Sequence, residues 1–297
     1  MTAGPKQKEA LFYKAPENEN KVTECGLCPH LCRIQSGRTG LCGARRNTGG
    51  RLIAESYGRL TSVALDPIEK KPLNRFFPGS RILSVGSYGC NFRCAFCQNH
   101  SISTMTSGNF SGRAYLPGEI ADISKECAEK GSIGVAYTYN EPLVGYEFVK
   151  DCAQAVKNRG QKNVLVTNGF ANPGPFGQLL PLIDAFNIDL KGFGPAFYNE
   201  LGGELECVKN NIEAAAAAGA HVELTVLVIP QKNDSVAEME QISKWIAKLD
   251  DNIALHISRF FPAYKMRGAK PTPIETIYEL AGIARKNLKY VYPGNAR

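Results

Sequence analysis

The hydrophobic pattern changes character at residue 81. From there on, short apolar runs alternate with segments of helical period. Runs near 82–87, 133–138, 163–167, 185–190, 221–229, 253–258 and 288–292 read as strands, and segments near 117–130, 143–159, 174–183, 206–218, 235–249 and 273–286 read as helices. Such alternation implies a parallel sheet with helices packed outside it. The expected fold is therefore α/β, a partial (β/α)6 TIM-like barrel over 81–297 in which six strands close partway. Chemistry in barrels of this kind sits at the C-terminal ends of the strands. Upstream the pattern is sparser. Residues 1–24 read as a flexible polar arm. Residues 25–80 read as a cysteine-rich metal-binding region and a connection, with short β segments at Leu52-Ile53-Ala54 and Leu60 to Leu65 and turns at Lys71-Pro72-Leu73 and Phe76-Phe77-Pro78-Gly79.

Composition narrows the class. A chain of 297 residues, 43% hydrophobic, holds one large domain, or one with a small appendage, and a sizeable core. No stretch is long and apolar enough to span a membrane. The N-terminus lacks an apolar signal core, which argues against secretion and for the cytoplasm. Ten cysteines in a chain without a signal point to metal rather than disulfides. A formal charge of +7 permits an acidic partner without demanding one. The densest basic group, Lys70, Lys71, Arg75 and Arg81, is explained by a solvated face as well as by a nucleic-acid site, so no nucleic acid is expected.

The chemistry concentrates in Tyr88-Gly89-Cys90-Asn91-Phe92-Arg93-Cys94-Ala95-Phe96-Cys97-Gln98-Asn99, directly after the first barrel strand. Three cysteines stand at Cys-x3-Cys-x2-Cys spacing, and the next one along the chain is Cys127. Iron–sulfur clusters are normally held by four thiolates. A [4Fe–4S] cluster on Cys90, Cys94 and Cys97 would leave one iron without a protein ligand, free to chelate a small molecule. The competing readings are a structural zinc and an incidental grouping. A second set, Cys25, Cys28, Cys32 and Cys42, lies among turn glycines in a region poor in large apolar residues. It reads as a site for zinc or an auxiliary iron–sulfur cluster, with His30 as a substitute ligand, and the metal would replace the missing core. Polar groups also gather at the ends of the other strands: Asn140 and Glu141, Thr167 and Asn168, Asp189 and Lys191, then His256 and Arg259. Each has a bland reading. Asn140 would cap a helix, Asp189 and Lys191 would form a rim ion pair, and His256 would be a satisfied core histidine. Together, beside a cysteine loop, they read as one site.

These stretches resemble the radical S-adenosylmethionine (SAM) enzymes of the pyruvate formate-lyase activase type, and more closely the radical SAM member of the AmmeMemoRadiSam group. The resemblance is carried by the cysteine loop, Cys25-Gly-Leu-Cys-Pro-His-Leu-Cys, Tyr137-Thr-Tyr-Asn-Glu-Pro, Thr167-Asn-Gly, Asp189-Leu-Lys, Val228-Ile-Pro and Leu255-His-Ile-Ser-Arg-Phe-Phe-Pro. It implies that Cys90, Cys94 and Cys97 ligate a [4Fe–4S] cluster. It implies that Phe96 offers its backbone near the adenine, that Glu141 in Asn140-Glu141-Pro142 meets the SAM amino group, and that Thr167, Asn168, Asp189 and Lys191 face the methionine carboxylate and ribose. His256 would lie near the nucleoside. The aspartate that helps hold a monovalent cation in activases is Val166 here, so no cation is expected. The implied reaction is reductive cleavage of SAM to methionine and a 5′-deoxyadenosyl radical, which takes a hydrogen atom from a protein, such as a glycyl-radical enzyme, or from a small molecule. A flavodoxin or ferredoxin would supply the electron. The rival class is a non-enzymatic iron–sulfur or zinc protein acting as a carrier or scaffold.

Overall fold

The apolar runs pair into one sheet in a computed structural model that describes residues 7–16 and 21–296. We number its strands β1 (Ser62–Pro67), β2 (Arg81–Gly86), β3 (Ser132–Tyr137), β4 (Lys162–Thr167), β5 (Ala185–Asp189), β6 (His221–Val228), β7 (Ala254–Arg259) and β8 (Val291–Gly294), and they lie side by side in chain order. From β2 to β8 every pairing is parallel. Parallel neighbours need a crossover, and helices supply it: α1 (Pro117–Glu126), α2 (Tyr146–Asn158), α3 (Pro173–Leu179), α4 (Pro195–Leu201), α5 (Leu205–Ala217), α6 (Val236–Leu249) and α7 (Ile274–Ala284). In α2 the buried Phe148, Val149, Cys152, Ala153 and Val156 recur at helical spacing and form its inner face. The start of α6 is fixed by Ser235, whose hydroxyl accepts from Glu238 N at 3.2 Å.

The architecture departs from six strands in two places. β8, at the run expected near 288–292, pairs as a seventh parallel strand, and β1 is an eighth that runs antiparallel to β2. β1 and β8 are the two edges of the sheet, so the barrel stays open. The segment expected to be a connection therefore shares the main sheet. Helix α4 also escaped the sequence reading. It is short and flanked by glycines, yet it buries Phe197, Tyr198 and Leu201.

The N-terminal region is built on the barrel. Tyr13–Lys14 and Arg33–Ile34 flank Thr23–Cys25 in a small antiparallel sheet, and Arg45–Thr48 forms a hairpin with Arg51–Ala54. The arm is fastened where it is described: Ala10 N donates to Leu52 O at 2.8 Å, Leu11 N donates to Glu147 Oε1 at 2.7 Å, and Lys8 Nζ lies 2.7 Å from Asp151 Oδ2. Residues 1–6 and 17–20 of the expected arm fall outside the described part. The fully buried Arg45 guanidinium pairs with Glu147 on α2. Removing one partner of such a pair leaves a buried charge uncompensated, at about 3–5 kcal/mol.

Residues 72–76 pass beneath the N-terminal mouth of the barrel. Asn187 donates to Pro72 O at 2.8 Å, and Glu223 accepts from Asn74 N at 3.0 Å and Arg75 N at 2.8 Å. His221 and His256 each present Nε2 to Glu223, at 2.9 and 2.6 Å. Burial raises the Glu223 carboxyl, but these hydrogen bonds outweigh it and draw the group down from 4.5 to about 2. Its folded pKa lies below the unfolded one, so the stabilisation is complete above pH 4.5 and disappears as pH falls toward 2. The size is about 3 kcal/mol. We expect denaturant midpoints to fall across that window, and Glu223→Gln to lower stability at pH 7 while flattening the dependence. An equally steep loss in the variant would place the acid sensitivity elsewhere.

Candidate active site

β2 ends at Gly86, and the chain leaves the sheet as an irregular loop through Cys90, Cys94 and Cys97. Such a loop has no ladder, so its buried backbone groups need other partners. Gly89 N donates to Ile102 O at 2.9 Å, Cys90 N to Cys42 O at 3.2 Å and Arg93 N to Leu201 O at 2.8 Å. Asn140 Oδ1 accepts from Ser87 N at 2.9 Å, and its Nδ2 donates to Gly89 O at 3.1 Å. Asn91 Nδ2 donates to Phe170 O at 2.7 Å, while His30 Nε2 stands 2.8 Å from Asn91 O. Gly89 has φ +86°, and a Cβ there would run into the Cys42 carbonyl. Only glycine lets the N-terminal cysteine region and the loop meet.

All three thiols line one cavity of about 350 Å³. Phe96, Asn140, Glu141, Thr167, Asn168, Asp189 and Lys191 line it too, so the strand ends singled out from the sequence converge. Burial pushes Cys94 up to about 11 and drives Cys90 higher, so thiolates here call for a metal. Two donors already point at Cys90 Sγ, Phe92 N at 3.4 Å and Asn168 Nδ2 at 3.9 Å, and Ser103 Oγ lies 3.4 Å from Cys97 Sγ. Hydrogen bonds to sulfur tune ligated thiolates. Three thiols on one loop, facing one cavity, fit the three-cysteine set that a cluster with one open iron requires.

Glu141 is buried, and its two oxygens hold the neighbouring strand end. Oε1 accepts from Thr167 Oγ1 at 2.6 Å and Leu143 N at 3.0 Å, and Oε2 accepts from Asn168 N at 2.7 Å. Burial outweighs these bonds and raises the carboxyl from 4.5 to about 7. A carboxylate has about four lone-pair sites, so room for one further donor remains on the cavity side. Asn140 caps no helix, because its amide is used on the cysteine loop. Asp189 and Lys191 do both things expected of them: they pair at 2.7 Å and they line the cavity. Burial works against the Lys191 charge, but Asp189 and Cys94 outweigh it and raise the ammonium above its usual range. The Phe96 ring stacks on Phe197 with centroids 6.2 Å apart. His256 sits deeper, on Glu223, and is not among the lining residues. The buried partner that holds it is 33 positions away, and no local signal in the sequence announced it.

Cys25, Cys28, Cys32 and Cys42 surround a separate small cavity with His30 and Arg45, whose Nη1 lies 3.3 Å from Cys25 Sγ. Among the described residues, no three His, Cys, Asp or Glu side chains are placed to hold a single metal ion. Neither cysteine set is an exception. A zinc ion needs four ligands on one centre, whereas a cube of irons takes each thiolate at a different corner. A larger cleft of about 610 Å³ lies against Phe261, Tyr278 and Pro293 beside β8, and it holds none of these groups.

A half-open parallel barrel with a three-cysteine loop after its first parallel strand defines a class of SAM-dependent enzymes. The sequence profile of the Radical SAM superfamily matches residues 84–246, and the chain belongs to that superfamily. Membership implies a [4Fe–4S] cluster and SAM. An uncharacterised protein of Methanocaldococcus jannaschii is 39% identical over 290 residues, 97% of this chain and 85% of the relative. The pyruvate formate-lyase 1-activating enzyme of Escherichia coli is 24% identical over 224 residues, 69% of this chain and 89% of that protein. The benzylsuccinate synthase activating enzyme of Thauera aromatica is 28% identical over 117 residues, 39% and 35% of the two chains. Among solved structures, a radical SAM methyltransferase from Sphaerobacter thermophilus superposes with a TM-score of 0.55 at 16% identity, covering 73% of this chain and 67% of that one. The protein is an enzyme of SAM-dependent radical chemistry, homologous to activating enzymes. No described helix is long and apolar enough to cross a membrane.

Lys191→Met should weaken SAM binding about tenfold, the scale of one charge-assisted hydrogen bond. Equilibrium binding of SAM to the reconstituted protein measures this. Unchanged affinity at unchanged thermal stability would place Lys191 outside the SAM site.

Proposed function

We propose that the protein reductively cleaves SAM at a [4Fe–4S] cluster held by Cys90, Cys94 and Cys97, and that the resulting 5′-deoxyadenosyl radical removes a hydrogen atom from a protein or small-molecule target. One observation carries the reading: three thiols of a single loop face a cavity whose walls include the polar ends of β3, β4 and β5. When bound, the cluster supplies one electron to the sulfonium. The chain's part is to bind, orient and exclude water. Glu141 offers an acceptor to the SAM amino group while it holds Thr167 and Asn168 in line. Lys191 offers donors to the carboxylate and ribose, with Thr167, Asn168 and Asp189 beside them, and Phe96 offers its backbone near the adenine. His256 supports the floor through Glu223 and stands back from the nucleoside. A flavodoxin- or ferredoxin-type protein would deliver the electron. Homology to activating enzymes favours a protein target, with a glycyl-radical enzyme as the first candidate, and the motif set favours the AmmeMemoRadiSam group.

Cys25, Cys28, Cys32 and Cys42 would hold a second metal centre. An auxiliary iron–sulfur cluster fits their spread better than zinc does. That centre would stiffen the region whose Cys42 carbonyl receives the Cys90 amide, within a protein divided as a cysteine-rich region ahead of residue 62 and a barrel whose sheet opens with β1 rather than at the expected residue 81.

Anaerobic reconstitution, followed by SAM and dithionite, should yield 5′-deoxyadenosine and methionine in equal amounts. Cys94→Ala should lose the loop's iron and all cleavage, since two thiolates are too few to hold a cluster. Normal product formation by that variant would sink the assignment. Replacing Cys28 and Cys32 together should cut iron from about eight to about four per chain and expose residues 21–50 to protease. One zinc per chain in the parent would reinstate the zinc reading. Four irons, no zinc and a protease-resistant N-terminus would remove both.

A further inference from the structure

The cavity wall carries a second lysine. Lys71 lies between β1 and β2 and lines the cavity at 2% exposure, so the solvated face expected for this basic cluster does not include it. Its Nζ is 2.8 Å from Asp66 Oδ2 and 4.6 Å from the centroid of the Tyr139 ring. The Tyr139 phenol donates to the same carboxylate oxygen at 2.5 Å. Burial raises the Asp66 carboxyl, but Lys71 and Tyr139 outweigh it and hold the group well below the usual carboxylate range. Burial draws the Lys71 ammonium below its usual range, and the Asp66 carboxylate opposes that shift.

The clamp is held at a conformational cost. Tyr139 adopts φ +72°, a left-handed conformation unfavourable for a bulky residue by about 1–3 kcal/mol. Its ring occupies the space above Gly86, where a Cβ would come within 2.8 Å of Tyr139 Cδ2. Strain of this kind persists only where the surroundings impose it, and it clusters at ligand sites.

The donor count points toward a ligand. An ammonium has three N–H groups and no acceptor. Among the described residues, Asp66 is the one acceptor that Lys71 Nζ reaches. If a second N–H addresses the Tyr139 ring face, at least one remains, on a cavity wall and out of bulk water. A buried donor left unmatched costs about 1–3 kcal/mol, more when charged, unless a ligand completes it. The two buried cavity lysines also belong to different ends. Asp189 and Cys94 are the main charges acting on Lys191, whereas Asp66 and Lys70 act on Lys71. Lys191 is the cation of the cluster end.

We propose that Lys71, fixed by Asp66 and Tyr139, binds a carboxylate of the molecule that yields its hydrogen atom. The target, whether a protein segment or a small molecule, then carries a carboxylate near the hydrogen it yields, and Lys70 at the rim adds positive charge to its path. The inference rests on the reading of this cavity as the radical site.

The test uses the reconstituted full-length protein, with acetate as probe and acetamide as its neutral counterpart, both followed by ligand NMR line broadening. SAM affinity and SAM cleavage are measured in parallel. Lys71→Met combined with Asp66→Asn removes the ammonium without stranding the carboxylate, and circular dichroism checks its fold. Acetate should bind the parent in preference to acetamide. In the double variant its affinity should fall about tenfold more than that for SAM, the scale of one charged hydrogen bond. Tyr139→Phe, which keeps the ammonium and loosens the clamp, should give a smaller loss. The inference is overturned if acetate and acetamide bind the parent alike, if the double variant keeps its acetate affinity, or if SAM affinity falls by the same factor, which would assign Lys71 to SAM. Failure of the parent to cleave SAM would instead overturn the radical reading, and the acetate result would still report on Lys71.

Discussion

The structure depends on satisfying the backbone of one irregular loop. Thiols that share a cluster must approach from several directions, which no helix or strand allows. The loop after β2 therefore gives up regular hydrogen bonding and takes its backbone partners from elsewhere: Cys42 from the N-terminal region, Ile102 from just downstream, Asn140 after β3 and Leu201 at the end of α4, while the Asn91 side chain reaches Phe170 after β4. Several buried amides left unpaired, at about 1–3 kcal/mol each, would consume much of the stability of an ordinary domain. The positions of these five segments are thus tied to one another through the loop they serve.

That constraint explains why the N-terminal region is part of the site's construction. Its Cys42 carbonyl receives the Cys90 amide, the Leu41 carbonyl receives the Arg93 guanidinium, and His30 meets Asn91 O. On the other side, Arg45 and Glu147 fasten the same region to α2. A metal on Cys25, Cys28, Cys32 and Cys42 would then act on the reaction through geometry, by holding one wall of the loop.

The parts of this fold legible in the sequence were those with a local cause. β3, β4 and β6 are apolar runs bounded by turn residues, and each lies within one or two residues of its expected place. The polar strand ends could be read because side chains at such ends converge whenever the strands are parallel. What escaped depends on pairing across distance. Val63 and Leu65 announce a strand at β1, but nothing local says that it joins β2 antiparallel. Glu223 looks like any strand carboxylate until residues 74 and 75 arrive from 148 positions or more away. Lys70 and Lys71 are adjacent and chemically alike, yet the short helical turn Ile68–Lys70 leaves the Lys70 side chain 66% exposed and that of Lys71 at 2%. Composition cannot tell such neighbours apart.

The cavity's electrostatics follow from these long-range pairings. Each of its two buried cations is locked to an acid, Lys191 to Asp189 and Lys71 to Asp66. Neither pair adds net charge, so the walls do not repel one another and the folded state does not require a ligand in place. An ammonium in a single ion pair still has N–H groups to give, and a low-dielectric surrounding strengthens whatever bond they make. Neutral pairs with donors in reserve let one pocket be stable before its ligands arrive and selective for oxygen acceptors when they do.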